Sequence, residues 1–180
     1  MTLTITERNR LAQDIKSAAF LTGDFTTRAG KKTSYYIDKY KFTTRPEIMG
    51  PLAKAIQDHL PDLAFDRIAA PELGAVPIAA VLSVQIERPF VIVRKASKGY
   101  GTENLIEGSY KKGDKMVLVE DVLTTGGAAM AAAEVLEANG VEVLKIIGVV
   151  NREEGAHEAI QNRGWAVSSI LTASELKALD

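Results

Sequence analysis

Apolar residues along this chain change their spacing several times, and each change marks an element. Leu11, Ile15 and Ala18 recur three and four residues apart behind Thr4 and Glu7, which stand at capping-box spacing. The pattern predicts an amphipathic helix up to about Leu21, stopped by Gly23. From Asp24 to Phe42 it shifts to short β-like runs, FTT and SYYID, separated by the turn-forming AGKKTS, which predicts a hairpin or hood. Pro46 suits a first helical turn, and Ile48, Leu52, Ala53, Ile56 and Leu60 carry a second helix as far as Pro61.

Thereafter strand-like and helix-like runs alternate: RIAAP, VPIAAVLSVQI, FVIVR, KMVLVED, GAAMAAAEVLEAN and VEVLKIIGVV. Such alternation predicts an α/β fold, a central parallel sheet flanked by helices. MVLV and IIGVV are nearly all apolar, as interior strands covered on both faces should be. A weaker strand near Ala166 to Leu171 and a short helix from about Ser174 complete the expected order. FTTR occurs at Phe25 to Arg28 and again at Phe42 to Arg45, an echo too short to count as a repeat. With no linker or low-complexity segment in its 180 residues, the chain reads as one domain, with a helix and hood over about 1–45 and a core over about 46–180.

Composition narrows the chemistry. Lysine and arginine total 22 against 23 acidic residues, a formal charge of -1, so no global field favours nucleic acid or anionic lipid. Cysteine is absent and His59 and His157 are far apart, which removes thiolate nucleophiles and makes a histidine metal site a poor expectation. The charged amino terminus does not resemble a signal peptide, and no run reaches membrane-spanning length, so the expected location is the cytoplasm.

The sharpest local signal is VLVEDVLTTGGAAMAAAEVL, an apolar strand running into Glu120 and Asp121, then Thr124, Thr125, Gly126 and Gly127, then an alanine-rich helix. Ligands of open parallel sheets collect beyond the carboxyl ends of strands, where the acidic pair is expected to fall. Glycines let backbone amides curl around an anion, and a helix amino terminus with nearby hydroxyls adds to the pull. Carboxylates would repel that anion at contact distance but accept hydrogen bonds from vicinal hydroxyls. Phosphate and diol together specify a ribose phosphate. Helix capping alone would need a single residue here, not an acidic pair and TTGG. GxxxxGK[ST] and GxGxxG are both missing from this loop.

The stretch Val117 to Ala129 resembles the phosphoribosyl pyrophosphate (PRPP) motif of the type I phosphoribosyltransferases. GDFTTRAGKKTSYYID, Gly23 to Asp38, and VRKASKGYGTENLIEG, Val93 to Gly108, further resemble the orotate phosphoribosyltransferases, over about Leu11 to Leu171. That resemblance implies the type I phosphoribosyltransferase fold with a small N-terminal hood, and transfer of a phosphoribosyl group from PRPP to orotate. Glu120 and Asp121 would hold the ribose hydroxyls and Thr124, Thr125, Gly126 and Gly127 the 5′-phosphate, with Val122, Leu123 and Ala128 completing the PRPP-binding stretch. Arg94, Lys95 and Lys98, followed by Gly99, Tyr100 and Gly101, suit a mobile cationic lid as well as they suit a solvated loop. By resemblance the lid, about 95–108, completes the site of a neighbouring subunit in a homodimer. Arg94, Lys95, Lys98 and Tyr100 would bind PRPP, with Arg94, Lys95 and Lys98 acting with Mg2+ on the departing pyrophosphate. The ion itself would be bound mainly through PRPP.

For the acceptor, the resemblance places orotate against Arg28, Tyr36, Ile37 and Thr124, with Arg152 gripping its carboxylate. A planar guanidinium suits that role. Arg152 could instead pair with Glu153 or Glu154, and one of Tyr35 and Tyr36 should be core. Three positions depart from the common pattern: Gly74 and Arg28 where many relatives carry lysine, and Tyr100 where many carry histidine. With Gly74, the pyrophosphate contact of that lysine falls to Lys95 or the backbone, or is missing. Transfer to another base and a PRPP-sensing regulator are the competing functions.

Overall fold

The computed structural model of the chain describes residues 3–26, 30, 32–60, 64–95 and 104–179. Strands β3 (Arg67–Pro71), β4 (Phe90–Val93), β6 (Lys115–Leu123), β7 (Glu142–Asn151) and β8 (Ala166–Thr172) run parallel. A two-residue antiparallel edge, β5 (Ile106–Glu107), gives the sheet order β5-β4-β3-β6-β7-β8. Both runs predicted to be interior, in β6 and β7, have strand neighbours on each side. The chain builds outward from β3 in one direction and then restarts at β6 beside it. A crevice therefore opens at the carboxyl ends of β3 and β6, the usual place for a ligand in such sheets.

Helices cover both faces, as the alternation predicts. On one side, α1 (Ile5–Ala19), α3 (Pro46–Asp58) and α4 (Val76–Ile86) bury Leu11, Ile15, Ile48, Leu52, Ile56 and Leu82 against Val117, Val119 and Ile147. On the other, α5 (Gly127–Ala138) and α6 (Ala156–Asn162) set Leu136 and Ile160 on Met116, Leu118 and Ile146. Each wholly buried Leu, Ile or Met contributes about 1.5–3 kcal/mol, so this two-sided core fixes the sheet that carries the site. A five-residue α2 (Lys39–Thr43) links the hood to α3 and seats Phe42, fully buried, in the first cluster.

The hood is a separate antiparallel pair, β1 (Phe20–Thr26) and β2 (Lys32–Ile37). Its start corrects the expectation that the first helix reaches Leu21. Phe20 pairs with Ile37 across the hairpin and stacks on Tyr35, ring centroids 5.1 Å apart, and this contact outweighs the helical spacing. The second helix likewise ends at Asp58, short of Leu60. The terminal α7 (Ala173–Ala178) begins in a capping box of Thr172 and Glu175. It packs on α1, where Arg8 reaches Glu175 at 2.5 Å and also donates to the Ile170 carbonyl.

Candidate active site

The acidic pair was expected beyond its strand; it lies within it. β6 continues through Leu123 because Val122 and Leu123 pair with Val150 and Asn151 of the longer neighbour β7. Glu120 and Asp121 are consequently 5% and 2% exposed, acidic residues held in an interior strand. One Glu120 oxygen accepts the Asp121 backbone N–H at 3.1 Å. The other, Oε2, is buried and finds no hydrogen-bond partner among the described residues. Burial, and then the charge of Asp121, push the Glu120 carboxyl up to about 8, so it keeps its proton at neutral pH.

Asp121 has a cation of its own. Lys39 Nζ lies 2.8 Å from Asp121 Oδ2, and although burial pulls the lysine down, the adjacent carboxylate raises it overall. The sequence reading missed Lys39, which stands alone just after YYID with no cationic run to mark it. Lys39, Tyr36 and Glu120 line a cavity of about 570 Å³ together with residues 122–129. A buried carboxyl oxygen without a partner beside such a space can bond a sugar hydroxyl, as donor while protonated and as acceptor once ionised.

The loop after β6 has the geometry expected of an anion nest. Gly126, at φ +81°, caps α5, and a Cβ there would lie 3.2 Å from Ile160 Cγ1 and 3.3 Å from the Ala156 carbonyl. Gly127 has open space; its Cβ would meet only Thr125 Oγ1, at 3.8 Å. The two glycines therefore differ in purpose. Gly126 lets the loop turn and pack on α6, while Gly127 leaves the first turn of α5 open to a ligand at its unpaired amides.

Arg94 and Lys95 follow β4 at the next strand end. Arg94 spans Glu72 at 3.7 Å and Glu107 at 3.5 Å, and the Lys95 amide donates to Glu72 at 2.9 Å. Both cations line a recess of about 230 Å³ that shares Ala128 with the larger cavity. Of the expected acceptor wall, Tyr36 is exposed to the cavity, whereas Ile37, next along the strand, is buried in the core. Tyr35 is the core member of the tyrosine pair. Arg152 does not line the cavity; its guanidinium pairs with Glu154 at 3.0 Å and sits 4.8 Å from the centre of the Tyr35 ring. Thr124 lines the cavity with the rest of its loop. Arg28, Lys98 and Tyr100 lie outside the described residues, as does most of the expected lid.

Among the described residues no cluster of three or more metal-binding side chains occurs. Two carboxyls, one already paired with Lys39, make too small a donor set for an all-protein Mg2+ site, but suit an ion that enters on substrate phosphates.

A buried acid pair thus runs into a glycine-turned loop at the strand-order switch of a parallel sheet, where ligands of such folds collect. Residues 41–170 match the phosphoribosyl transferase domain family, and the chain belongs to it. Its relatives are more specific. The orotate phosphoribosyltransferase of Thermococcus kodakarensis is 50% identical over 162 residues, 89% of this chain and 87% of that protein. The crystal structure of orotate phosphoribosyltransferase from Aeropyrum pernix superposes with a TM-score of 0.83 at 31% identity, covering 92% of this chain and 95% of that one. That of Mycobacterium tuberculosis in complex with PRPP matches at a TM-score of 0.81 and 28% identity, over 95% of this chain and 99% of its own. The relatives confirm the family, the fold and the chain-long likeness that the motifs indicate.

Proposed function

We infer that the chain transfers the 5-phosphoribosyl group of PRPP to orotate, giving orotidine 5′-monophosphate and pyrophosphate in pyrimidine synthesis. The observation that carries this reading is the continuity of β6, which delivers two buried carboxyls straight into the nest at residues 124–127. In the reaction the orotate ring nitrogen forms its bond to C1 as the bond from C1 to the pyrophosphate oxygen breaks, with inversion through an oxocarbenium-like transition state. Positive charge then grows on the ribose beside Asp121 and, once it ionises, Glu120, so these carboxylates stabilise the transition state more than the ground state. The loop anchors the 5′-phosphate, and the Arg152 guanidinium provides two parallel donors for the acceptor carboxylate once it exchanges Glu154 for orotate. Mg2+, when bound, neutralises diphosphate oxygens and makes pyrophosphate a better leaving group.

Homodimer assembly, with the segment at about 95–108 completing the neighbour's site, and a cytoplasmic location belong to the same reading. Its support in this chain is the exposure of Leu73 at 63% and Val84 at 82%, apolar surface of the kind that subunits cover. The test is to mix protein, PRPP, Mg2+ and orotate and follow the ultraviolet absorbance of orotate. Turnover should need all four, and adenine, hypoxanthine or uracil should not replace orotate. Turnover of one of those bases with orotate inert would reject the acceptor.

A further inference from the structure

The turn after β3 is shaped around two side chains from elsewhere. A Cβ on Gly74 would lie 1.9 Å from Asp121 Oδ2 and 3.0 Å from Lys39 Cδ, so the space above this turn is already occupied. The Lys39 stem crosses it from the start of α2, and the ammonium stops at Asp121. The lysine side chain stays 32% exposed while its carboxylate partner is 3% exposed, and the lysine, unlike Asp121, lines the cavity.

Ribose geometry then gives that cation a direction. With the 5′-phosphate in the nest at residues 124–127 and the hydroxyls on the acid pair, the substituent on C1 must project away from the nest. Away from the nest, across Asp121, lie the Gly74 turn and, at the following strand end, Arg94 and Lys95. Arg94 is engaged by Glu72 and Glu107 and Lys95 acts on Glu120 only at longer range, so among the described residues Lys39 is the cation in contact with the acid pair. Resting on the PRPP reading above, we propose that Lys39 is a donor-binding residue whose ammonium, carried over Gly74, pairs with the diphosphate of PRPP within its own subunit. Asp121 orients it in the meantime, and the pairing leaves that buried carboxylate without a bare negative charge.

A double-variant cycle in the full chain tests this, with magnesium pyrophosphate as calorimetric probe and no turnover required. Lys39→Met should weaken pyrophosphate binding about tenfold or more, and Lys39→Arg should restore most of it. Asp121→Asn removes the carboxylate that Lys39 would otherwise merely neutralise, and it keeps the double variant free of an unpaired buried charge. K39M/D121N should then bind pyrophosphate about tenfold more weakly than D121N alone. Equal binding by those two proteins would overturn the proposal, leaving Lys39 a neutralising group only, as would failure of the wild-type chain to bind pyrophosphate. A wild-type chain that binds pyrophosphate yet never consumes orotate would instead overturn the acceptor, and the cycle would still decide Lys39.

Discussion

Gly148 of β7 lies directly against Leu123 of β6: a Cβ on the glycine would come 2.5 Å from Leu123 Cδ1 and 2.7 Å from its Cγ. Leu123 is the last residue of β6 and leads into Thr124, so the missing side chain fixes where the phosphate loop begins. Gly148→Ala should push Leu123 outward, lowering stability by about 1–3 kcal/mol through overpacking. Urea unfolding reads that loss, and the KM for PRPP should rise with it while the KM for orotate changes less.

The two loop glycines should separate folding from binding. Gly126→Ala forces a side chain into the left-handed region and against Ile160, at a cost of about 1–3 kcal/mol. Gly127→Ala meets nothing closer than 3.8 Å, so its melting temperature should match that of the wild type. Its methyl group would still stand in the open first turn of α5, and PRPP affinity should fall by about tenfold. Equal melting temperatures for the two variants would contradict the division of labour.

Glu120 links pH to both stability and turnover. The folded carboxyl keeps its proton up to about pH 8, whereas an unfolded glutamate loses it near 4.5. The folded state thus holds an extra proton between those values. The resulting penalty is absent at low pH, grows as pH rises through that window and is complete above it. Glu120→Gln should therefore melt higher than the wild type, by about 3 °C or more at pH 8.5, with a smaller gap at pH 6. Its activity should be largely lost. In the wild type, kcat/KM for PRPP should climb towards pH 8 as Glu120 ionises and can face a growing positive charge. A flat profile across that range would exclude the ionised carboxylate from the rate-limiting step.

Arg152→Lys keeps the charge but loses the planar fork and its place over Tyr35. The KM for orotate should increase by about tenfold or more, with the KM for PRPP changing by less than about twofold. Steady-state kinetics with each substrate varied in turn distinguish this from a general loss of structure, which would move both.

The sheet and the turn of its site loop were legible because apolar runs mark covered strands: MVLV and IIGVV lie within β6 and β7, and TTGG stands between strand and helix, whereas the continuation of β6 through Glu120 and Asp121 was not. What escaped was short or settled by distant partners. The seven residues of α6 span too few turns to show a period, although Ile160 on it is what Gly126 packs against. Phe20 carries a helical address by spacing and a strand address by its contact with Tyr35, and the contact prevails. Lys39 meets Asp121 across 82 positions of sequence, through the gap left by Gly74, and no local pattern announces such a meeting.

From Met116 to Asp121 every residue of β6 is buried, so the groups proposed to clasp the sugar are rooted in an interior strand covered on both faces. Remodelling that clasp for another pentose would mean rebuilding both layers of packing beneath it. A base held at the hood, as proposed, could drift with changes in a few outlying side chains; the sugar could not, and its identity is the trait this scaffold should surrender last.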